Sequence, residues 1–429
     1  MSDPRGAPGR TGRTVVSITP LAIERDSRTF KQAVSIARLG HRSIVLEGER
    51  SEAPPAGQPF ELISLPDAPA AWRNDPAPSA DEDGGEAAAS AGRLDALRHR
   101  AGVVRWRAGK LVRDLRPNMK VGRSLPDADL NILHSYEFSA AIMWSRRRYR
   151  TPYIYDAHDL YFAARPEHDR ELPVEARLMS SLERRSAIGA GGLITPSRGC
   201  AEALAGRFGR RPEVIRNCHD PRLDELEGDD VRATLGLTSE DFLVVAVGNA
   251  KAGMAFSQIR EALQRSPDRV HIAFVGRGLD RHAAEVSEHR LGDRIHLLGP
   301  EPMTRIVPFT RTADAALVPY VPLALGYERA LPNRLFQALA AGLPVIFPAE
   351  LPEIAEIVDR HEAGLPVSFS EPTQIAAALT RLVEDSELRA MLAANSARAG
   401  AEESWEHEEE RFGSVVAAAL ASRPAPSRR

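Results

Sequence analysis

In the stretch YERALPNRLFQALAAGLPVIFP, Tyr327 to Pro348, a polar and charged loop leads directly into an apolar periodic run. Leu335, Phe336, Leu339 and Ala340 recur at helical spacing from about Asn333, and Gly342 and Pro344 stop the run before a strand at Val345–Phe347. The first turn of that helix presents free backbone N–H groups and the positive end of its dipole to whatever the loop admits. Such an end suits an anion, phosphate above all. An ordinary αβ unit of a doubly wound sheet shows the same pattern, so both readings stand at this point. A second position draws notice by its rarity. Lys31, Lys110, Lys120 and Lys251 are the lysines of a chain with 56 lysines and arginines together, and Lys251 falls in the loop VGNAKAGMAF. GRG at Gly276–Gly278 is too short for a dinucleotide fingerprint and reads as a strand-end turn.

The elements that must position these residues alternate. TVVSITP (Thr14–Pro20) reads as a buried strand, Arg28–Leu39 as a helix and RSIVLEG (Arg42–Gly48) as a second strand, a βαβ start that predicts a parallel sheet. DADLNILHS, TPYIYDAHD and GGLITPS supply further strands, with helices over Pro173–Ile188 and Arg198–Phe208 and a short strand at Glu213–Ile215. After the polar connection RNCHDPRLDELEGDD a second series runs through DFLVVAVG, RVHIAFVG, RIHLLG and AALVPY into the opening stretch. The expected fold class is therefore α/β, with two Rossmann-like doubly wound parallel-sheet domains facing each other across a cleft. They span residues 14–217 and 230–400, with ligands at the carboxyl ends of the strands. Residues 66–92, rich in Pro, Ala, Asp, Glu, Gly and Ser, read as a disordered insertion.

Composition narrows the function classes. At 429 residues the chain can bury two full cores, and a net charge of −3 argues against nucleic acid as a partner. Cys200 and Cys218 provide neither a disulfide framework nor a metal cluster, which fits a reducing cytoplasm. The N-terminus MSDPRGAPGRTGR lacks the apolar core of a secretory signal. No run of about 18 uncharged apolar residues occurs, so a soluble or peripheral protein is expected. Arg93–Arg123 carries ten Arg/Lys against Asp95 and Asp114, with Trp106 and aliphatic residues interleaved. It reads either as a basic amphipathic helix for an anionic membrane surface or as a solvated face.

In this order the motifs resemble the GT-B glycosyltransferases of the family 4 type. IERDSRTFKQAVSIARLGH is similar to that family's first loop and helix, YIYDAHDLYF to its histidine loop, and ITPSRGCAEALAGRFG with RPEVIRNCHD to the end of its first domain. ALPNRLFQALAAGLPVI resembles the signature segment of its donor domain, and SWEHEEERFGSVVAAAL, within 404–420, its last helix, which packs back on the first domain. The resemblance implies sugar transfer from a nucleotide-activated donor to a glycan, lipid or small-molecule acceptor. It further implies retention of configuration, with no bound metal and no cofactor beyond the donor itself.

Carried over residue by residue, Gln337 stands where the family has the second Glu of its E-x7-E motif, which grips the donor ribose. The first Glu falls on Arg329, with Glu328 one place off and a candidate catalytic residue. A neutral Gln binds a hydroxyl more weakly than a carboxylate does. Arg329 would instead read an acidic group, or point away. The family places an Arg and a Lys in the loop after the first donor-domain strand to neutralise the diphosphate. Gly248 and Asn249 open that loop here, Asn249 takes the Arg position, and Lys251 is the candidate cation. Pro332, Asn333 and Arg334 complete the donor side. His158 matches the histidine that contacts the donor sugar, a strand-end histidine satisfied by backbone being the other reading. His134 and Glu137 (LHSYEF) could hold the acceptor. Asp26 and Arg28 lie on the first loop, where Arg28 helps the diphosphate or caps a helix. The departures at Asn249, Arg329 and Gln337 also motivate a catalytically silent GT-B subunit, and a sugar-nucleotide epimerase on the same fold is a third reading.

Overall fold

The computed structural model describes residues 12–53, 57–65, 121–122, 125–161, 174–251, 253–322 and 325–422. The expected disordered insertion at 66–92 and nearly all of the basic Arg93–Arg123 segment lie outside the described residues. Two compact units emerge. One comprises Met1–Ala157, Arg170–Leu193 and Val415–Arg429, and the other His158–Asp169 and Ile194–Ser414.

The first sheet has seven strands: β1 (Thr14–Thr19), β2 (Arg42–Glu47), β3 (Glu61–Ser64), β4 (Leu130–Leu133), β5 (Tyr153–Asp156), β6 (Gly192–Thr195) and β7 (Glu213–Val214). Their order is β3-β2-β1-β4-β5-β6-β7. The described pairings are parallel, as in Val16↔Ile44, Val16↔Asn131 and Ile132↔Ile154. The strands β1, β2, β4 and β5 are buried almost throughout, which is why they read as near-continuous apolar runs. Helices α1 (Ser27–Arg38), α2 (Ser139–Tyr149) and α3 (Val174–Gly189) belong to this unit.

The second sheet has six strands: β8 (Phe242–Val247), β9 (Val270–Val275), β10 (Ile295–Leu298), β11 (Ala315–Leu317), β12 (Val345–Pro348) and β13 (Gly364–Val367), in the order β10-β9-β8-β11-β12-β13. All its pairings are parallel. Two apolar clusters cover its faces. One is built around Phe256, Phe274, Phe369 and Leu379, the other around Phe336, Phe347, Leu335 and Ile354. Helix α4 (Arg198–Phe208) joins β6 to β7 of the first sheet but groups with the second unit, to which α5 (Asn333–Ala340) and α6 (Pro352–His361) also belong. The last helix, Trp405–Ala421, is divided between the units at Ser414.

Two glycines let the carboxyl ends of β8 and β9 approach each other. A Cβ on Gly276 would stand 2.2 Å from the Gly248 carbonyl oxygen. Gly248 itself has φ +136°, a conformation that side-chain-bearing residues rarely adopt.

Candidate functional site

The second unit brings Gly248, Lys251 and Arg334 together at the carboxyl end of β8. Leu335, Phe336 and Leu339 anchor α5 in the core, and this fixes where its first turn opens. Its N-cap is Pro332, which supplies no side-chain acceptor. Arg334, in that first turn, lays its guanidinium over the Tyr320 ring, with Cζ 4.9 Å from the centroid. A Cβ on Gly248 would meet this guanidinium at 2.3 Å, so a larger residue there would displace it from its present position. Lys251 reaches the same aromatic pair, with Nζ 5.4 Å from the Tyr320 centroid and 5.7 Å from that of Tyr327. The two tyrosine rings lie 5.8 Å apart.

Neither cation has a carboxylate within ion-pair distance among the described residues. Aromatic faces attract a cation through their quadrupole without cancelling its charge. The acid that acts on Lys251 from further off is Asp159. The surrounding protein raises its carboxyl above the ordinary range, while His158 and Lys251 pull it back. Asp159 nonetheless keeps contact with solvent, which limits the effect of that crowding.

The other donor-side candidates divide by whether their side chains are already engaged. Asn249 accepts a hydrogen bond from the Arg277 backbone N–H through Oδ1 at 3.0 Å, and the Ala250 N–H donates to the Arg277 carbonyl. Asn249 thus pins its own loop. Arg329 turns to α4: its Nη1 lies 3.5 Å from Glu202 Oε2, and its carbonyl accepts from Ser197 Oγ at 2.7 Å. Glu353 of α6 completes this join by accepting from the Arg198 and Gly199 backbone N–H groups. Gln337 is half-buried one turn into α5, and its side-chain amide makes no hydrogen bond among the described residues. Glu328 is exposed at the end of the short helix Leu325–Glu328. His158 is half-buried just beyond β5. Cys200 is buried and its thiol is pushed up to about 11, chiefly by burial, which leaves it inert as a nucleophile.

In the first unit the expected first-loop residues form a closed network. Asp26 caps α1, accepting from the Thr29 N–H at 3.1 Å, from Thr29 Oγ1 at 2.6 Å and from Thr19 Oγ1 at 2.8 Å. Arg28 is buried and grips Asp156 at the end of β5, with Nε 2.8 Å from Oδ2 and Nη2 2.9 Å from Oδ1. Gln32 donates to the same carboxylate at 2.6 Å, and His134 Nδ1 lies 3.5 Å from it. Glu137 is half-buried in the 3-10 turn after β4. Asp26 provides the cap of α1, and the Arg28 guanidinium grips Asp156.

Residues absent from the sequence reading carry much of this geometry. Tyr320 and Tyr327 hold the cations, and Asp156 with Gln32 forms the hub of the first unit. Tyr320 ends the apolar run AALVPY, where an aromatic residue reads simply as core.

Two family descriptions match the chain: the glycosyl transferase 4-like domain over residues 27–218 and the glycosyl transferases group 1 over 242–385. Among curated proteins, the D-inositol 3-phosphate glycosyltransferase of Nocardia farcinica is 27% identical over 311 residues, covering 68% of this chain and 67% of that protein. That of Rhodococcus opacus is 26% identical over 298 residues, covering 65% of each. The chain thus spans about two thirds of the length of these relatives. Among solved structures, HepE of Anabaena in complex with UDP-glucose has a TM-score of 0.65 at 15% identity, covering 94% of this chain and 99% of that one. Sucrose-phosphate synthase of Thermosynechococcus elongatus has a TM-score of 0.67 at 16% identity, covering 96% and 100%. With both halves matched by one class of family and the two-sheet fold shared with these structures, the chain belongs to the GT-B glycosyltransferases of the family 4 type.

Proposed function

We propose that the chain transfers a sugar from a nucleoside-diphosphate sugar to a glycan, lipid or small-molecule acceptor, with retention and without a resident metal. The observation that carries this reading is the pair Lys251 and Arg334, both held on Tyr320 and neither matched by a carboxylate. A diphosphate leaving group develops charge as the sugar departs, and preorganised cations stabilise it without reorganising. Lys251 and Arg334 supply that stabilisation from the protein itself. This supports metal independence, because the positive charge is already built into the site. Gln337, one turn further on, faces the donor ribose in this reading, and His158 and Glu328 act at the sugar.

His158→Ala is then expected to lower kcat more than donor affinity, since an interaction made mainly in the transition state shows in kcat. An unchanged kcat would assign His158 to structure. The donor is identified by thermal stabilisation with UDP, GDP and dTDP, where a nucleotide at 100 times its dissociation constant adds about 2.7 kcal/mol. A nucleotide that stabilises the chain while no sugar is transferred or hydrolysed would favour the silent subunit. The tying of Asn249 and Arg329 into structural contacts motivates that second reading. A cytoplasmic location, peripheral at the inner face of a membrane, belongs to the first reading. No helix among the described residues is long and apolar enough to cross a bilayer.

A further inference from the structure

The second unit holds a buried charged network that includes neither Lys251 nor Arg334. Its centre is Arg216, two residues past the end of β7, with a side chain 20% exposed. The Arg216 backbone N–H donates to Glu408 Oε2 at 3.0 Å and its Nε to Glu408 Oε1 at 2.7 Å, while Nη1 pairs with Glu403. Both carboxylates are buried. Glu403 also takes Arg360 and has His361 Nε2 3.0 Å away, the two residues that end α6. Burial alone would raise the Glu403 carboxyl, but His361, Arg216 and Arg360 together hold it below the ordinary range. The backbone reinforces the join, the Trp405 N–H donating to the His219 carbonyl at 2.8 Å.

This network meets α5 at two places. The Arg216 guanidinium lies over the buried Phe336 ring, with Cζ 5.9 Å from the centroid. Helix α7 (Ser386–Glu402), which leads into Glu403, packs on the carboxyl end of α5. A Cβ on Gly400 of α7 would stand 2.6 Å from the Leu339 carbonyl oxygen and 2.7 Å from the Ala340 Cα. Apolar side chains could pack α5 as firmly, since exchanging a buried ion network for them is often neutral in stability. What two carboxylates add is a planar guanidinium held in one place and one orientation. Placement matters at α5, because Arg334 rests on Tyr320 and close against Gly248. A tilt of the helix would carry that cation off its seat. We infer, resting on the reading of Arg334 as a diphosphate cation, that Arg216 is a positioning residue for the donor site. Held by Glu403 and Glu408, it fixes Phe336 and with it the setting of α5.

Pyrophosphate is the probe, because it reads the cations without a base or a sugar. It is titrated calorimetrically into the full chain and its variants, at a temperature where melting curves show each of them folded. Arg216→Met should lower the affinity about tenfold, and Arg216→Lys, which keeps the charge but cannot span both carboxylates, should recover part of it. Arg216→Met leaves Glu408 buried without its partner, so Phe336→Leu supplies the same test with the ion network intact, at about a fivefold loss. Leu379→Ala, in the cluster on the other face of the sheet, should lose stability and keep its affinity. Affinity unchanged in the Arg216 variants and Phe336→Leu, with Arg334→Ala still lowering it, would make the network structural only. A fall in Leu379→Ala as large as in Phe336→Leu would overturn the inference too, as general loosening of the unit. An unchanged affinity in Arg334→Ala would instead sink the reading of the donor site, and the role of Arg216 with it.

Discussion

Arg28 and Arg334 are both drawn into the protein, one in each unit, and they have opposite partners. Arg28 is buried against Asp156 in a two-pronged ion pair that Gln32 completes. Arg334 rests on a tyrosine ring and against a glycine that makes room for it. A carboxylate neutralises a guanidinium and uses its directional donors; an aromatic face fixes the position and leaves both charge and donors available. The partner, more than the residue type or the loop, decides whether a cation holds the fold or awaits a ligand. The same contrast separates Lys251 from Arg329, whose side chain is turned to Glu202.

The largest effect expected from this contrast is in the first unit. Arg28→Ala leaves Asp156 buried without its counter-charge, which costs about 3–5 kcal/mol when a buried pair is broken on one side. Urea denaturation should show that loss, while nucleotide affinity of the folded protein stays near that of the parent. A stable Arg28→Ala protein with weakened nucleotide binding would reverse the contrast and return Arg28 to the diphosphate.

The difference between the two arginines was only half legible in the sequence. The strands were readable because parallel strands covered on both faces are continuous apolar runs, and β1, β2, β4, β8 and β12 stand where those runs fall. Helix α5 was readable from Leu335, Phe336 and Leu339. Of the four outermost strands, β7 and β10 were read from Glu213–Ile215 and RIHLLG, and β3 and β13 were not. β3 is four half-exposed residues, and β13 carries Pro366, tolerated because a strand at the sheet edge needs fewer ladder donors. Among site residues, the rarity of Lys251 pointed at its loop. Nothing local to Arg28 could show that residue 156, 128 positions on, supplies its carboxylate. Side-chain partners that distant are set by sheet order, and periodicity carries no record of them.

A smaller effect tests the second unit. Lys251→Ala should weaken nucleoside-diphosphate binding by about 1.5–3 kcal/mol, the range for a hydrogen bond to a charged group. Stability should fall by no more than about 0.5–1 kcal/mol, the range for an exposed cation held over an aromatic ring. Tyr320 separates position from charge. Tyr320→Phe keeps the ring and should bind nucleotide nearly as the parent does, whereas Tyr320→Leu removes the quadrupole that both cations rest on and should approach the Lys251→Ala loss. Calorimetric titration of the three variants with UDP and with pyrophosphate decides it. Equal affinities for Tyr320→Leu and the parent would mean that the ring is packing alone.

The smallest effect concerns Gln337, the side chain that is half-buried and makes no hydrogen bond among the described residues. Its amide can pair with a ribose hydroxyl as a neutral partner worth roughly 1 kcal/mol, against about 1.5–3 for a carboxylate. Gln337→Glu should therefore raise donor affinity several-fold. Two forces oppose the gain: the new carboxylate repels the diphosphate, and it could draw Arg334 off Tyr320 by offering the ion pair that the cation now lacks. The first is weakened by a full helical turn of separation and by salt. The second is limited by geometry, since residues three apart on a helix share a face but the Arg334 guanidinium is already fitted against Gly248. Gln337→Leu keeps similar bulk and removes the hydrogen bond, so affinity should fall where Gln337→Glu raises it. Opposite shifts in the two variants place residue 337 at the ribose. A fall in both would mean that the carboxylate has captured Arg334, turning the ligand-ready cation of the second unit into a copy of the committed one in the first.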